Sequence, residues 1–174
     1  MSFHFPTGED NTKAGRLNHP SSRDSSVYKW DIRFLQMARL VSTWSKDPST
    51  QTGAVIVRPN LTVASVGFNG FPQNMRDLPE LYANREEKYS RIVHCEINAL
   101  ILAGTPITDC TLYTYPFLSC DRCCVQMLQA GIRRFVAPTA TDEQLSRWGS
   151  AFDKTMLYCM ESDVLVDLIR RDAI

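Results

Sequence analysis

The chain has 174 residues, 44% of them hydrophobic and 22% charged, which is ordinary globular usage for one domain with a sizeable core. Nineteen basic and nineteen acidic residues cancel, and no dense Lys/Arg run occurs, which argues against a nucleic-acid polymer held by its backbone but leaves room for a single phosphate. No apolar run is long enough to span a membrane, and six cysteines without a signal peptide predict a reducing, cytoplasmic setting.

Residues 1–27 are polar and carry Pro6, Gly8, Gly15, Pro20, Ser21, Ser22, Ser25 and Ser26, which predicts a mobile N-terminal arm ahead of a single domain over 28–174. From Trp30, apolar residues at Phe34, Met37, Ala38, Val41 and Trp44 recur at three- and four-residue steps, the mark of an amphipathic helix. Ser45-Lys46-Asp47-Pro48 ends it, because the proline ring disfavours helix at the residue before it. Gly53-Ala54-Val55-Ile56-Val57, the turn Pro59-Asn60 and Leu61 to Val66 read as a hairpin, and Gly67-Phe68-Asn69-Gly70-Phe71-Pro72 as a loop. Helical spacing resumes from Pro79 to Ile92. A further helix from Cys95 to Ala103 is stopped by Gly104, with His94 and Glu96 at its first turn.

A strand from Cys110 to Tyr115, a helix from Asp121 to Ala130 closed by Gly131, and a strand from Ile132 to Ala137 follow. Thr141-Asp142-Glu143 is a helix start, with helical or strand segments continuing to Ile174. A hairpin followed by alternating strands and helices predicts a three-layer α/β/α sandwich around a mixed, roughly five-stranded sheet.

Two short clusters carry chemistry: His94-Cys95-Glu96, and Cys120-Asp121-Arg122-Cys123. Together they offer one nitrogen, two thiolates three residues apart and a free carboxylate. Zinc prefers four ligands in a tetrahedron, so three protein ligands leave one position for water, whose pKa the metal lowers to about 7. Glu96, two residues past the histidine, is placed to take that water's proton. A structural zinc site brings a fourth ligand in a second close pair, and Cys95, Cys110, Cys124 and Cys159 form none, so these read as reduced, buried thiols. A redox dithiol at Cys120 and Cys123 leaves His94 and Glu96 unexplained. H-x-E followed by C-x-x-C is the signature of a zinc nucleobase deaminase.

Four segments extend that match: Ser45-Lys46-Asp47-Pro48-Ser49-Thr50-Gln51-Thr52-Gly53-Ala54-Val55, Gly67-Phe68-Asn69-Gly70-Phe71-Pro72, His94-Cys95-Glu96-Ile97-Asn98-Ala99, and Tyr113-Thr114-Tyr115-Pro116-Phe117-Leu118-Ser119-Cys120-Asp121-Arg122-Cys123. In this order they resemble the cytidine and deoxycytidylate deaminases, most nearly the deoxycytidylate (dCMP) deaminases of bacteria and their phages, from about Trp30 to Leu165. Two positions depart from the family pattern. Cys95 stands where the family usually has Ala, and Ser119 where it usually has Pro.

The resemblance implies a cytidine deaminase-like fold and one catalytic Zn2+ held by His94, Cys120 and Cys123. It implies hydrolysis of dCMP to dUMP and ammonia, supplying dUMP for thymidylate synthesis, with Glu96 protonating N3 and then the amine. Asn69 is implied as a deoxyribose contact, though an Asn before Gly70 is equally a turn former, and Tyr115 as a border of the base, though a strand Tyr is more often core. Ser119 joins the substrate contacts beside the first ligand cysteine, and Lys46, Arg85 and Lys88 are the cations for a phosphate, each equally readable as a solvated charge. A homo-oligomer, dimer or hexamer, and dCTP or dTTP effectors are implied as well. Action on dCTP is the alternative within this chemistry. A non-catalytic zinc-binding assembly protein is the alternative outside it, and such a protein has no need of Glu96.

Overall fold

The computed structural model describes residues 25–174. Helix α1 (Ser25–Ser42) leads into strands β1 (Gly53–Val57) and β2 (Val63–Phe68), then helices α2 (Pro79–Ala83), α3 (Arg85–Arg91) and α4 (Cys95–Leu102). Strand β3 (Thr111–Tyr115), helix α5 (Asp121–Gln129), strand β4 (Arg134–Pro138), helix α6 (Asp142–Glu161) and strand β5 (Leu165–Ile169) complete it, before a 3₁₀ turn at Arg171–Ala173. Helix α1 starts inside the segment read as an arm, and the rest of that segment, residues 1–24, lies outside the described residues.

The strands form one five-stranded sheet in the order β2-β1-β3-β4-β5. Strand β1 pairs antiparallel with both β2 and β3, whereas β3, β4 and β5 run parallel, joined by crossovers through α5 and α6. This is the mixed sheet expected from a hairpin followed by alternating elements. Alternation along the central strands divides the core into two layers. Ala54, Ile56, Leu112, Phe135 and Ala137 point to one face and pack with Cys95 and Ala99 of α4, Met127 of α5 and Phe152 of α6. Val55, Val57, Tyr113 and Val136 point to the other and meet Phe34, Leu35 and Ala38 of α1. All five residues of β1 are buried, which explains its continuous apolar sequence.

Helix α1 turns a somewhat different face inward than the spacing predicts. Phe34, Leu35, Ala38 and Val41 are buried, while Trp30, Met37 and Trp44, spaced by seven, flank the stripe at the surface. Beneath the helix, a Cβ at Gly53 would stand 2.2 Å from the Ala38 carbonyl oxygen, so the glycine lets α1 lie directly on β1. Gly67 does the same for α4. Expected in a loop, it is a residue of β2, and a Cβ there would come within 2.3 Å of the Ala99 nitrogen and 2.4 Å of the Cys95 oxygen. The start of α4, and with it His94 and Glu96, is therefore set by backbone contact with the sheet.

The helical stretch expected from Pro79 to Ile92 is two helices. Asn84 breaks it by adopting extended backbone (φ −82°, ψ 110°) and capping α3, its Oδ1 accepting from the Glu86 and Glu87 amides at 3.1 and 3.2 Å. Gly104 and Gly131 follow α4 and α5 with φ of +63° and +96°, the left-handed conformation that ends helices. Thr141 and Gln144 form a reciprocal capping box at the start of α6. Opposite the α4 face, Arg134 of β4 bridges buried Asp31 of α1 and Asp167 of β5 at 2.6 and 2.7 Å, and Tyr113 donates to Asp31 at 2.8 Å.

Candidate metal and active site

His94 and Cys120 occupy equivalent places: each is the N-cap residue of its helix, α4 and α5, in extended backbone, and neither side chain caps its own helix. Their side chains are thus free to meet across the gap between the two helix starts. Cys123, one turn into α5, joins them. His94 Nδ1 stands 3.5 Å from Cys120 Sγ and 3.3 Å from Cys123 Sγ, and the three donor atoms all lie within 4.8 Å of one another.

A tetrahedral zinc with Zn–S of about 2.3 Å and Zn–N of about 2.0 Å separates its sulfur and nitrogen ligands by about 3.5 Å. The observed spacing fits that ion with little adjustment, and the donor set, one imidazole and two thiols, is the borderline-soft set zinc prefers. The electrostatics agree. The Cys120 thiol is held down at about 4, chiefly by a hydrogen bond from Cys123 and then by His94, which itself is pushed up to about 9 by Cys120. The shared proton and burial push Cys123 well up in turn. Binding a dication therefore displaces protons from Cys123 and His94, so metal affinity rises with pH.

Glu96 sits in the first turn of α4, only 5% exposed, and faces the same cleft as His94 and Cys120. Cys95, adjacent and buried, donates its S–H to Glu96 Oε2 at 3.2 Å and takes no part in the three-donor group. Burial, then the Glu96 charge, pushes this thiol up. Cys124 and Cys159 touch at 3.7 Å in the interior and, like Cys110, are free and buried.

The cleft, about 720 Å³ with its open mouth, has a polar cluster and an aromatic one among its lining residues. The polar cluster centres on Asp47, which is buried and accepts from Lys88 Nζ at 2.7 Å, the Ser49 hydroxyl and amide at 2.9 Å and the Thr50 amide at 3.2 Å. Asn69 completes it. Its Oδ1 accepts from the Thr52 amide at 2.7 Å and its Nδ2 donates to the Thr50 carbonyl at 2.8 Å, so the side chain ties the end of β2 to the 45–52 loop. The aromatic cluster is Phe117 packed between Trp148 and Phe152 of α6, with centroid distances of 4.7 and 5.7 Å.

Of the three cations proposed for a phosphate, Lys88 lines the cleft. Lys46 pairs with Asp77 at 2.6 Å and Arg85 lies over the Tyr89 ring at 5.2 Å, both outside the lining residues. Tyr115 lines the cleft at the end of β3. Ser119 is buried behind it, its carbonyl accepting from the Thr155 hydroxyl at 2.9 Å and its own hydroxyl without a protein partner. Sequence reasoning left out Asp47, Thr50, Thr52, Phe117, Trp148 and Phe152. The i, i+4 spacing of Trp148 and Phe152 is the signal that marks one face of α6.

Burial alone would raise the Asp47 carboxyl, but hydrogen bonds from Lys88, Ser49 and Thr50 outweigh it and hold the group below its ordinary value of 3.8. A depressed carboxyl stabilises the fold above that ordinary value and ceases to do so as pH falls through the folded one. Lys88→Gln strands the buried carboxylate and is expected to cost about 3 kcal/mol at neutral pH, the low end for a broken buried pair because Ser49 and Thr50 still donate. Melting curves at pH 7 and pH 3 check this: the deficit should shrink at the acid pH, and a deficit constant across that range would remove the ion pair as its cause.

The family described as the cytidine and deoxycytidylate deaminase zinc-binding region matches residues 28–139. An uncharacterized deaminase in the luxG 3' region of Aliivibrio fischeri is 43% identical over 123 residues, 71% of this chain and 82% of that protein. The human deoxycytidylate deaminase is 32% identical over 114 residues, 62% of this chain and 64% of its own length. A crystal structure of the dCMP deaminase from cyanophage S-TIM5 in complex with dCMP and dUMP superposes with a TM-score of 0.64 at 20% identity, covering 84% of this chain and 99% of that one, a likeness of fold. Among the described residues no helix is long and apolar enough to cross a membrane.

Proposed function

The chain belongs to the cytidine and deoxycytidylate deaminase family, and from that premise we propose that it hydrolyses dCMP to dUMP and ammonia. The observation that carries this is the convergence of His94, Cys120 and Cys123 at a cleft lined by His94, Cys120 and the buried Glu96. His94, Cys120 and Cys123 hold the zinc that such a domain binds. When bound, the metal supplies hydroxide at neutral pH by lowering the pKa of water to about 7.

The remaining work falls to the chain's own residues. Glu96 accepts the water's proton, delivers it to N3 of the cytosine and then carries a proton to the departing amine, so that water and dCMP become dUMP and ammonia. The Phe117, Trp148 and Phe152 cluster and Tyr115 border the base and keep bulk water from it. The polar cluster receives the sugar and phosphate. An ammonium has three N–H donors; Asp47 and Ser49 take two from Lys88, which leaves one for a phosphate oxygen. Asn69 supports the sugar side through the loop it braces. The catalytic unit is the domain from residue 28 onward. A homo-oligomer belongs to the same reading, and the adjacent exposed Ile101 and Leu102 at the end of α4 are apolar side chains that a subunit contact would cover.

An ultraviolet assay comparing dCMP, dCTP, deoxycytidine, cytidine and cytosine tests the substrate. One charged hydrogen bond is worth about 1.5 to 3 kcal/mol, so dCMP should exceed the nucleosides in kcat/KM by roughly tenfold to a hundredfold. Equal rates on cytidine and dCMP would move the reading to a nucleoside deaminase, and a preference for dCTP would move it to the triphosphate. Adding dCTP or dTTP at fixed dCMP tests effector control: an altered rate supports it and an unchanged rate removes it.

A further inference from the structure

We propose that Cys95 is a positioning residue, its thiol orienting the Glu96 carboxylate for proton transfer. The inference rests on the reading of Glu96 as the proton carrier and concerns what aims that carboxylate. Glu96 is almost wholly buried, and a buried carboxylate needs donors. Among the described residues the hydrogen bond it receives is the one from Cys95 Sγ to Oε2, at 3.2 Å. That bond occupies one oxygen and restrains the rotation of the carboxylate, which leaves the other oxygen, Oε1, for the proton. An unrestrained carboxylate would sample rotations in which neither oxygen is well aimed.

The thiol is itself held. Thr52 lines the cleft beside it, and the Thr52 backbone amide is fixed by Asn69. The backbone beneath is equally constrained, since the Cys95 carbonyl lies against Gly67 with no room for a Cβ between them. An alanine at this position has the same backbone but no donor, so the carboxylate would lose its partner while the fold and the three metal ligands stay.

Three substitutions separate orientation from packing. Cys95→Ser keeps a donor in less volume, Cys95→Val fills the space, with about one methyl more, without a donor, and Cys95→Ala neither donates nor fills. An S–H is a weak donor, so loss of this hydrogen bond should lower kcat only about three- to tenfold in the Val and Ala variants, with KM within about twofold and zinc content unchanged, while Cys95→Ser stays near wild type. A second readout is independent of turnover: the infrared S–H stretch of Cys95, identified by its absence from Cys95→Ser, should move to higher frequency in Glu96→Ala. Full kcat in Cys95→Val, or an unmoved S–H band, would overturn the assignment. If wild-type protein loaded with zinc deaminates nothing, the proposed function fails, and the S–H band still reports whether the thiol engages Glu96.

Discussion

Glu96→Gln is expected to abolish nearly all turnover on dCMP while leaving zinc content near normal. The substitution preserves size and hydrogen-bonding shape inside a pocket that leaves this residue almost no solvent contact, so repacking is minimal. What it removes is the capacity to take a proton. General acid–base help is typically worth about 10² to 10⁴-fold, and the same carboxylate serves the water, N3 and the amine in turn, so the loss should reach the upper end of that range or exceed it. Stopped assays at high enzyme, paired with elemental analysis, make the measurement. A variant that kept most of its kcat with full metal would show that another base moves the proton.

Cys123→Ala should lose the metal and, with it, activity. The Cys123 sulfur is 3.3 Å from His94 Nδ1 and is buried in the first turn of α5, and the three-donor group has no fourth member among the described residues. Two ligands remain, one of them on the exposed His94, too few for the tetrahedral site zinc prefers. Purified wild-type protein should carry about one zinc per chain and the variant, after dialysis, less than about a tenth of that. Cys110→Ala, which removes an interior thiol away from the three-donor group, should keep its zinc. Full zinc in Cys123→Ala would mean that the ion sits elsewhere.

The three-donor group was legible because its chemistry admits few residue types and because helix starts are written locally. His94 and Cys120 each precede a helix whose first turn carries an acidic residue, Glu96 and Asp121, and two helix starts at one end of a sheet are neighbours. The central strands were legible for a similar reason: β1 is apolar throughout because it is covered on both faces. Side-chain partnerships were not. Whether Lys88 is a surface charge or a buried one depends on Asp47, forty-one residues away, and nothing near either residue records the pairing. Gly67 read as a loop residue because a strand glycine chosen for the helix lying over it looks, in sequence, like any turn glycine. Asn69 followed the same pattern, its amide committed to bracing a loop whose course only the fold reveals.

The placement of the three donor atoms also bears on the order in which the protein matures. Cys120 and Cys123 need only one local turn to meet, but His94 comes from the far side of β3, and it reaches them only once β3 has taken its place between β1 and β4. The nascent chain can offer an ion no more than a two-thiol chelate; the third donor is a product of folding. In small zinc-nucleated domains metal binding is itself the folding energy. Here two apolar layers and the Arg134 ion pairs hold the sheet and helices without it. Loading is then a step that follows folding of the scaffold rather than one that drives it.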